Sequence, residues 1–156
     1  MSIASTELTS RMNALKGLFT TAATALAVGL PETPAAYLGP TRETQDGKNF
    51  QVFVARSGLP EIDYQMGDDT ADWTVEFEVA LQVYWPESSE QLETYMAIFA
   101  ANALAVLHAN AKRAGADGWY KGIAKSTDAI RFRRAGREGA YEVEVIPFHM
   151  TFEVSI

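Results

Sequence analysis

A chain of 156 residues has the length of one ordinary domain, and at that size roughly 70% of the unfolded surface can leave water, so a core forms without staples. It contains no cysteine, which excludes a disulfide framework, thiolate metal sites and a cysteine nucleophile. With 47% hydrophobic and 21% charged residues it belongs among folded chains, and thirteen Lys and Arg against twenty Asp and Glu give a formal charge of −7, so attraction to nucleic acid or to an anionic membrane surface is not expected.

At the N-terminus, Arg11, Lys16 and the apolar stretch Gly17 to Leu30 imitate a secretory signal, with Ala25-Leu26-Ala27 as a small-x-small site. Yet Leu8, Met12, Leu15, Phe19, Ala22 and Leu26 recur at steps of three and four, and threonines lace the other faces. The pattern predicts an amphipathic helix, capped by Ser5 or Thr6 and stopped by Gly29 and Pro31. No run is read as a membrane span. From Pro31 to Asn49 the chain is a Pro- and Gly-rich connection with room for an extended piece at Ala36 to Leu38.

Phe50, Val52 and Val54 alternate with Gln51, Phe53 and Ala55, and Ile62, Tyr64 and Met66 alternate with acidic and amide residues. Two strands with one buried face each are expected, joined through Gly58 and Pro60. Trp73 to Trp85 carries the cleanest alternation, a long strand with one wet face. Ser88 and Gln91 have capping-box spacing, and the apolar stripe of Leu92, Tyr95, Met96, Phe99, Ala103, Val106 and Leu107 predicts a long alanine-rich helix to Ala114, with Lys112 and Arg113 in its last turn and Gly115 at C′. The chain ends in strands: Ile130 and Phe132 alternate with Arg131 and Arg133, then Tyr141 to Ile156 follows a loop around Gly136 and Gly139. In this last segment the apolar frame slips by one residue at Ile146-Pro147, which predicts a bulge or break. The fold class expected is α/β (α+β), a mixed, mostly antiparallel sheet built largely from 50–56, 73–85 and 141–156, in one domain over 1–156.

No catalytic set emerges. His108 and His149 have no second ligand at short spacing, the glycines at 115, 118 and 122 match no phosphate loop, and the pairs Asp68 with Asp69 and Glu76 with Glu78 lack the desolvation that would separate their pKa values. The stronger pattern is charge order. Ten acids and no Lys or Arg lie between Glu61 and Glu93, whereas eight bases and two acids lie between Lys112 and Arg137. Either two solvated regions meet within one subunit, or the acidic stretch around Asp68, Asp69 and Asp72 meets the basic cluster Arg131, Arg133, Arg134 and Arg137 of a neighbouring copy, a heterologous contact that closes into a ring.

The layout of amphipathic helix, Pro-rich connection, strands, a long strand ending in Trp85-Pro86, the Ser88 to Ala114 helix and Arg-flanked terminal strands resembles the tail terminator (tail completion) proteins of long-tailed bacteriophages. That resemblance implies a ring-forming subunit, a hexamer that caps the completed tail tube, stops its growth and receives the head connector at the tail-neck junction of the virion, after assembly in the host cytoplasm. It implies no enzyme activity and no cofactor; its partners would be further copies, the tail tube protein and a neck or connector protein, with DNA passing through unbound and no membrane. The loops Thr41 to Lys48 and Arg134 to Gly139 would then contact what lies above and below the ring. A neck or head-completion protein of the same virion and, from a different class, a small-molecule-binding α/β domain are the alternatives.

Overall fold

The computed structural model describes residues 3–44, 46–64, 69–136 and 139–155. In chain order its elements are helix α1 (Ile3–Thr21), short helix α2 (Ala23–Leu26), strands β1 (Ala35–Leu38), β2 (Phe50–Arg56), β3 (Glu61–Tyr64) and β4 (Thr70–Val83), helix α3 (Ser89–Ala109), strand β5 (Lys121–Ala124), a 3₁₀ turn (Ser126–Asp128), and strands β6 (Ile130–Ala135) and β7 (Ala140–Ser155). The fold is α+β: seven strands form one mixed sheet in the order β1-β2-β4-β7-β5, with β3 beside β4 and β6 beside β7. Among the described residues only β1 and β2 run parallel; the other strand pairings are antiparallel.

The alternation of β4 determines the layers. Ala71, Trp73, Val75, Phe77, Val79, Leu81 and Val83 point to one face, where Leu15 and Phe19 of α1 and Met96, Phe99 and Leu107 of α3 cover them. Phe50 meets Phe99 and Tyr95 edge-on, with ring centroids 5.8 and 5.9 Å apart. Each such buried side chain contributes about 1.5–3 kcal/mol of transfer free energy. Among the described residues the opposite face carries no helix. Its small apolar cluster is Phe53, Ala80 and Val143, with Tyr37 and Val145 against it. β2 is therefore buried on both faces rather than one.

Polar anchors hold the helical layer. Arg11, only 4% exposed, donates from Nε to the Gly118 carbonyl at 3.1 Å, pairs with Glu7 and stacks its guanidinium 4.1 Å from the Phe152 ring centroid. Asn102, midway along α3, donates to the carbonyls of Leu26 and Val28 at 2.9 and 2.8 Å, which closes the end of α2. The Glu32 carboxylate accepts from the Asn49 and Phe50 amides and fixes where β2 begins.

Several expectations need correction. Ser5 and Thr6 lie inside α1 rather than capping it, and the N-terminal helix breaks at Ala22 before α2. Ser88 does cap α3 by accepting from the Gln91 amide, but the Gln91 side chain accepts from Trp85 Nε1 instead of completing a capping box. The helix ends at Ala109, leaving Lys112, Arg113 and Gly115 beyond it, because a tight hairpin competes. Arg113 and Trp119 exchange backbone bonds of 2.9 Å, and Trp119 Nε1 donates to the Asn110 carbonyl. Gly118 and Gly122 make this packing possible, since a Cβ would strike the Arg113 backbone at the first and the Phe148 ring at the second. That close approach, not a plain helix stop, is their role, and it admits β5, a strand of four residues that is too short to be foreseen. The four residues of β3 are all exposed, so it has no buried face, and Met66 lies outside the described residues. The 21-residue α3 includes an 18-residue window with a mean hydropathy of 1.3 and so does reach the length and apolarity of a membrane-crossing helix, contrary to expectation, because its many alanines raise the average; its buried stripe packs on the sheet.

No bulge interrupts β7. Its register with β4 runs unbroken through Ile146 opposite Val79 and Pro147 opposite Glu78. Pro147 is tolerated because its carbonyl accepts from Lys125 across the gap between β5 and β6, so its missing N–H faces that gap and removes no ladder bond. The apolar frame slips because the sheet changes which face is apolar: Ile146, Phe148, Met150, Phe152 and Val154 bury on the helix side, whereas Val143 and Val145 join the cluster on the open side.

Phe77→Ala or Phe99→Ala, both fully buried, should lower stability by about 3–5 kcal/mol, whereas Phe132→Ala at the sheet surface should lower it by about 1 kcal/mol at most. Urea unfolding followed by tryptophan fluorescence measures both, and equal losses would mean that the faces are wrongly assigned.

Candidate subunit interface

Along β4 and β7 the open face presents paired side chains that change character from one end to the other: Asp72 beside Glu153, Thr74 beside Thr151, Glu76 beside His149, then Ala80 beside Val145 and Gln82 beside Val143. Thr74 and Thr151 share a hydrogen bond of 3.1 Å, and His149 Nε2 lies 2.8 Å from Glu76. The only two histidines thus serve different ends, since His108 is exposed on α3. Among the described residues no group of three side chains could hold a metal ion.

The acidic end is built by register. β3 sets Asp63 opposite Asp72, and β7 sets Glu153 on the other side of Asp72. Asp69 is exposed just ahead of β4, and Asp68 lies outside the described residues. Tyr120 hydrogen-bonds to Asp72; burial first, then that bond and the charges of Asp72, Glu153 and Asp63, push its phenol above the ordinary value.

The basic end lies where β6 meets the start of β7. Arg131 grips Glu93 of α3 with two nitrogens at 2.8 and 2.5 Å and reaches Glu142 at 3.6 Å. Arg133 donates from Nε to Glu142 at 2.8 Å, although its side chain remains 70% exposed. Arg134 turns to the open face, its guanidinium 5.7 Å from the Tyr141 ring centroid, with Nη1 enclosed and unpaired. Arg137 lies outside the described residues. Asp72 and Leu81, whose partner Glu144 faces Arg131, are nine ladder positions apart, which at about 3.3 Å per residue is roughly 30 Å. Among the described residues, the candidate acids and arginines of one chain therefore do not meet. The ion pair between the two stretches, among the described residues, is Arg131 with Glu93, from the far end of the acidic stretch.

Glu93 and Glu142 as internal partners escaped the sequence reading. A signal existed: Arg131 and Arg133 face Glu144 and Glu142 across the hairpin at Gly136 and Gly139, and opposite charges at cross-strand positions stabilise such a pair.

No protein-family profile matches the chain, and no curated protein matches it by sequence. Among solved structures it is similar to a chain from the virion of a native gene transfer agent particle, with 13% identity and a TM-score of 0.50 over 90% of this chain and 92% of that one. The likeness is one of fold, along nearly the whole of both chains.

The bond from Arg131, with its charge, holds the Glu93 carboxyl below the usual carboxylate range. A depressed folded value means that this contact is fully present at neutral pH and is lost as pH falls through that value. An NMR titration should find Glu93 titrating low in the native chain, and Arg131→Ala should return it to the ordinary range.

Proposed function

We propose that the chain is a structural subunit of a tailed, phage-like virion, a tail terminator that assembles as a ring, most simply a hexamer, on the completed tail tube, stops its growth and offers the surface to which the head connector attaches. The observation that carries the reading is the fold likeness to a virion chain over nine-tenths of both lengths; it is an argument from fold and is joined by the site chemistry. Acids at one end of a rigid ladder and arginines at the other suit a head-to-tail contact between copies, in which the acidic end of one subunit approaches the basic end of the next. Within that contact Asp69 and Asp72 would face Arg133 and Arg134, because Arg131 is already held by Glu93. Asp68 and Arg137 would add to the two sides. A neck or head-completion protein of the same virion is the nearest variant and would use the same contact.

In this reading nothing is hydrolysed and no cofactor is required. Partners are further copies, the tail tube protein and a neck or connector protein, and the acidic balance of the chain suits a ring through which DNA passes without sticking. Tail tubes grown without the protein should overrun their normal length and fail to accept heads, and adding it should restore both. Tubes of normal length that accept heads in its absence would overturn the terminator role.

Exposed ion pairs contribute only about 0–1 kcal/mol each, so here they set register and encounter rate rather than hold the ring. Raising salt from low concentration to about 0.5 M should slow assembly more than it dissolves finished rings. Reversing Asp69 and Asp72 to lysine should impair assembly, and reversing Arg134 to glutamate in the same chain, which leaves the Arg133 pair with Glu142 intact, should partly restore it; light scattering follows each.

A further inference from the structure

The open face holds a groove of about 220 Å³ between the Gly39–Thr41 loop and β6, floored by Phe53, Ala80 and Val145 and walled by Ile130 and Phe132. Ile130 is 64% and Phe132 43% exposed. Charges order the groove along its length. Glu78 stands at one end; Arg42, 5.2 Å from the Phe53 ring centroid, and Arg134, further along the open side of β6, stand toward the other. Elsewhere, the β2–β3 connection carries Leu59, 84% exposed, preceded by Arg56 and followed by Glu61 and Asp63. Glu61 and Asp63 form no ion pair with another described residue. Leu59 is a single exposed side chain, whereas the groove with Ile130 and Phe132 is contiguous apolar surface, the kind that marks a contact site.

We propose that the groove receives the β2–β3 connection of a second copy, with Leu59 seated over Ala80 and against Phe132. The polarity of segment and groove then agree: Arg56 of one copy approaches Glu78 of the other, while Glu61 and Asp63 approach Arg42 and Arg134. Leu59 supplies the apolar contact that exposed ion pairs cannot, and the charges choose the direction in which the segment lies. Because donor and acceptor are different parts of the chain, the contact is heterologous and propagates from copy to copy. The inference rests on the self-assembly in the reading above and names the segment and the seat that carry it.

The absence of cysteine makes the test clean. Single-cysteine variants Leu59→Cys and Phe132→Cys, mixed in equal amounts and mildly oxidised, should give the mixed disulfide in clear excess over the half expected of random pairing, since a disulfide needs Cα atoms about 4.4–6.8 Å apart. Leu59→Asp should weaken association at least about tenfold by sedimentation while leaving the circular dichroism spectrum of the folded chain unchanged, because Leu59 is 84% exposed in its own chain. The swap Arg56→Glu with Glu78→Arg should associate better than either single change. A random disulfide distribution, or association unchanged by Leu59→Asp in a chain that still oligomerises, overturns the seat and leaves the virion role standing. A chain that stays monomeric overturns both, while a correct cross-link in a protein that does not stop tubes overturns the virion role alone.

Discussion

The antiparallel ladder between β4 and β7 is the constraint on which the molecule depends. It runs from Thr70 opposite Ser155 to Val83 opposite Glu142 without a break. A shift of one residue would turn every side chain of one strand to the other face, carrying Phe148, Met150 and Phe152 out of the helix-covered core and Glu153 into it. The other strands inherit their positions from this pair: β2 and β3 divide one flank of β4, and β5 and β6 divide one flank of β7. The ladder therefore decides both what the core contains and which surface residues stand together.

Dividing the flanks gives the sheet two unlike halves. Where β3 and β5 flank the ladder, the helix side is fully apolar and the open side is charged. Toward β2 and β6 the open side becomes apolar, and the helix side beyond α3 carries Glu142 and Glu144 with their arginines. Glu142, only 6% exposed, needs the two guanidiniums beside it: a buried carboxylate without a partner would be strongly destabilising. Arg131 consequently serves the fold by tying β6 and β7 to α3, whereas Arg133, though paired with Glu142, keeps its side chain 70% exposed.

A second consequence is that unlike surfaces are held far apart on one stiff body. Within the chain Asp72 cannot reach Arg133 or Arg134, whereas Arg131 and Arg133 find Glu93 and Glu142 nearby. The helical layer reinforces the stiffness. Arg11 joins α1 to the 113–119 hairpin and to Phe152, and Asn102 joins α3 to α2, so the helices are fastened by directional bonds as well as by apolar contact.

Elements whose burial repeats over many residues were legible in the sequence. β4 and α3 each present an apolar side at their own period over three or more turns or pleats, and the Phe50–Arg56 strand and the terminal strands followed from the same alternation. The charge segregation was legible too, since it is a property of order along the chain. Tertiary structure decided what depends on neighbours distant in sequence. Arg11 reads as a polar residue on a helix, and only the Gly118 carbonyl and the Phe152 ring explain its burial. The frame slip at Ile146-Pro147 reads as a break in the strand, yet it records a change in which face of a continuous sheet is apolar, something no single strand can reveal. Likewise the alternation of Ile62 and Tyr64 looks like that of a half-buried strand, but no helix lies over β3, so both side chains stay in solvent. Periodicity specifies that one side of an element differs from the other; what covers that side is decided by the elements that pack there.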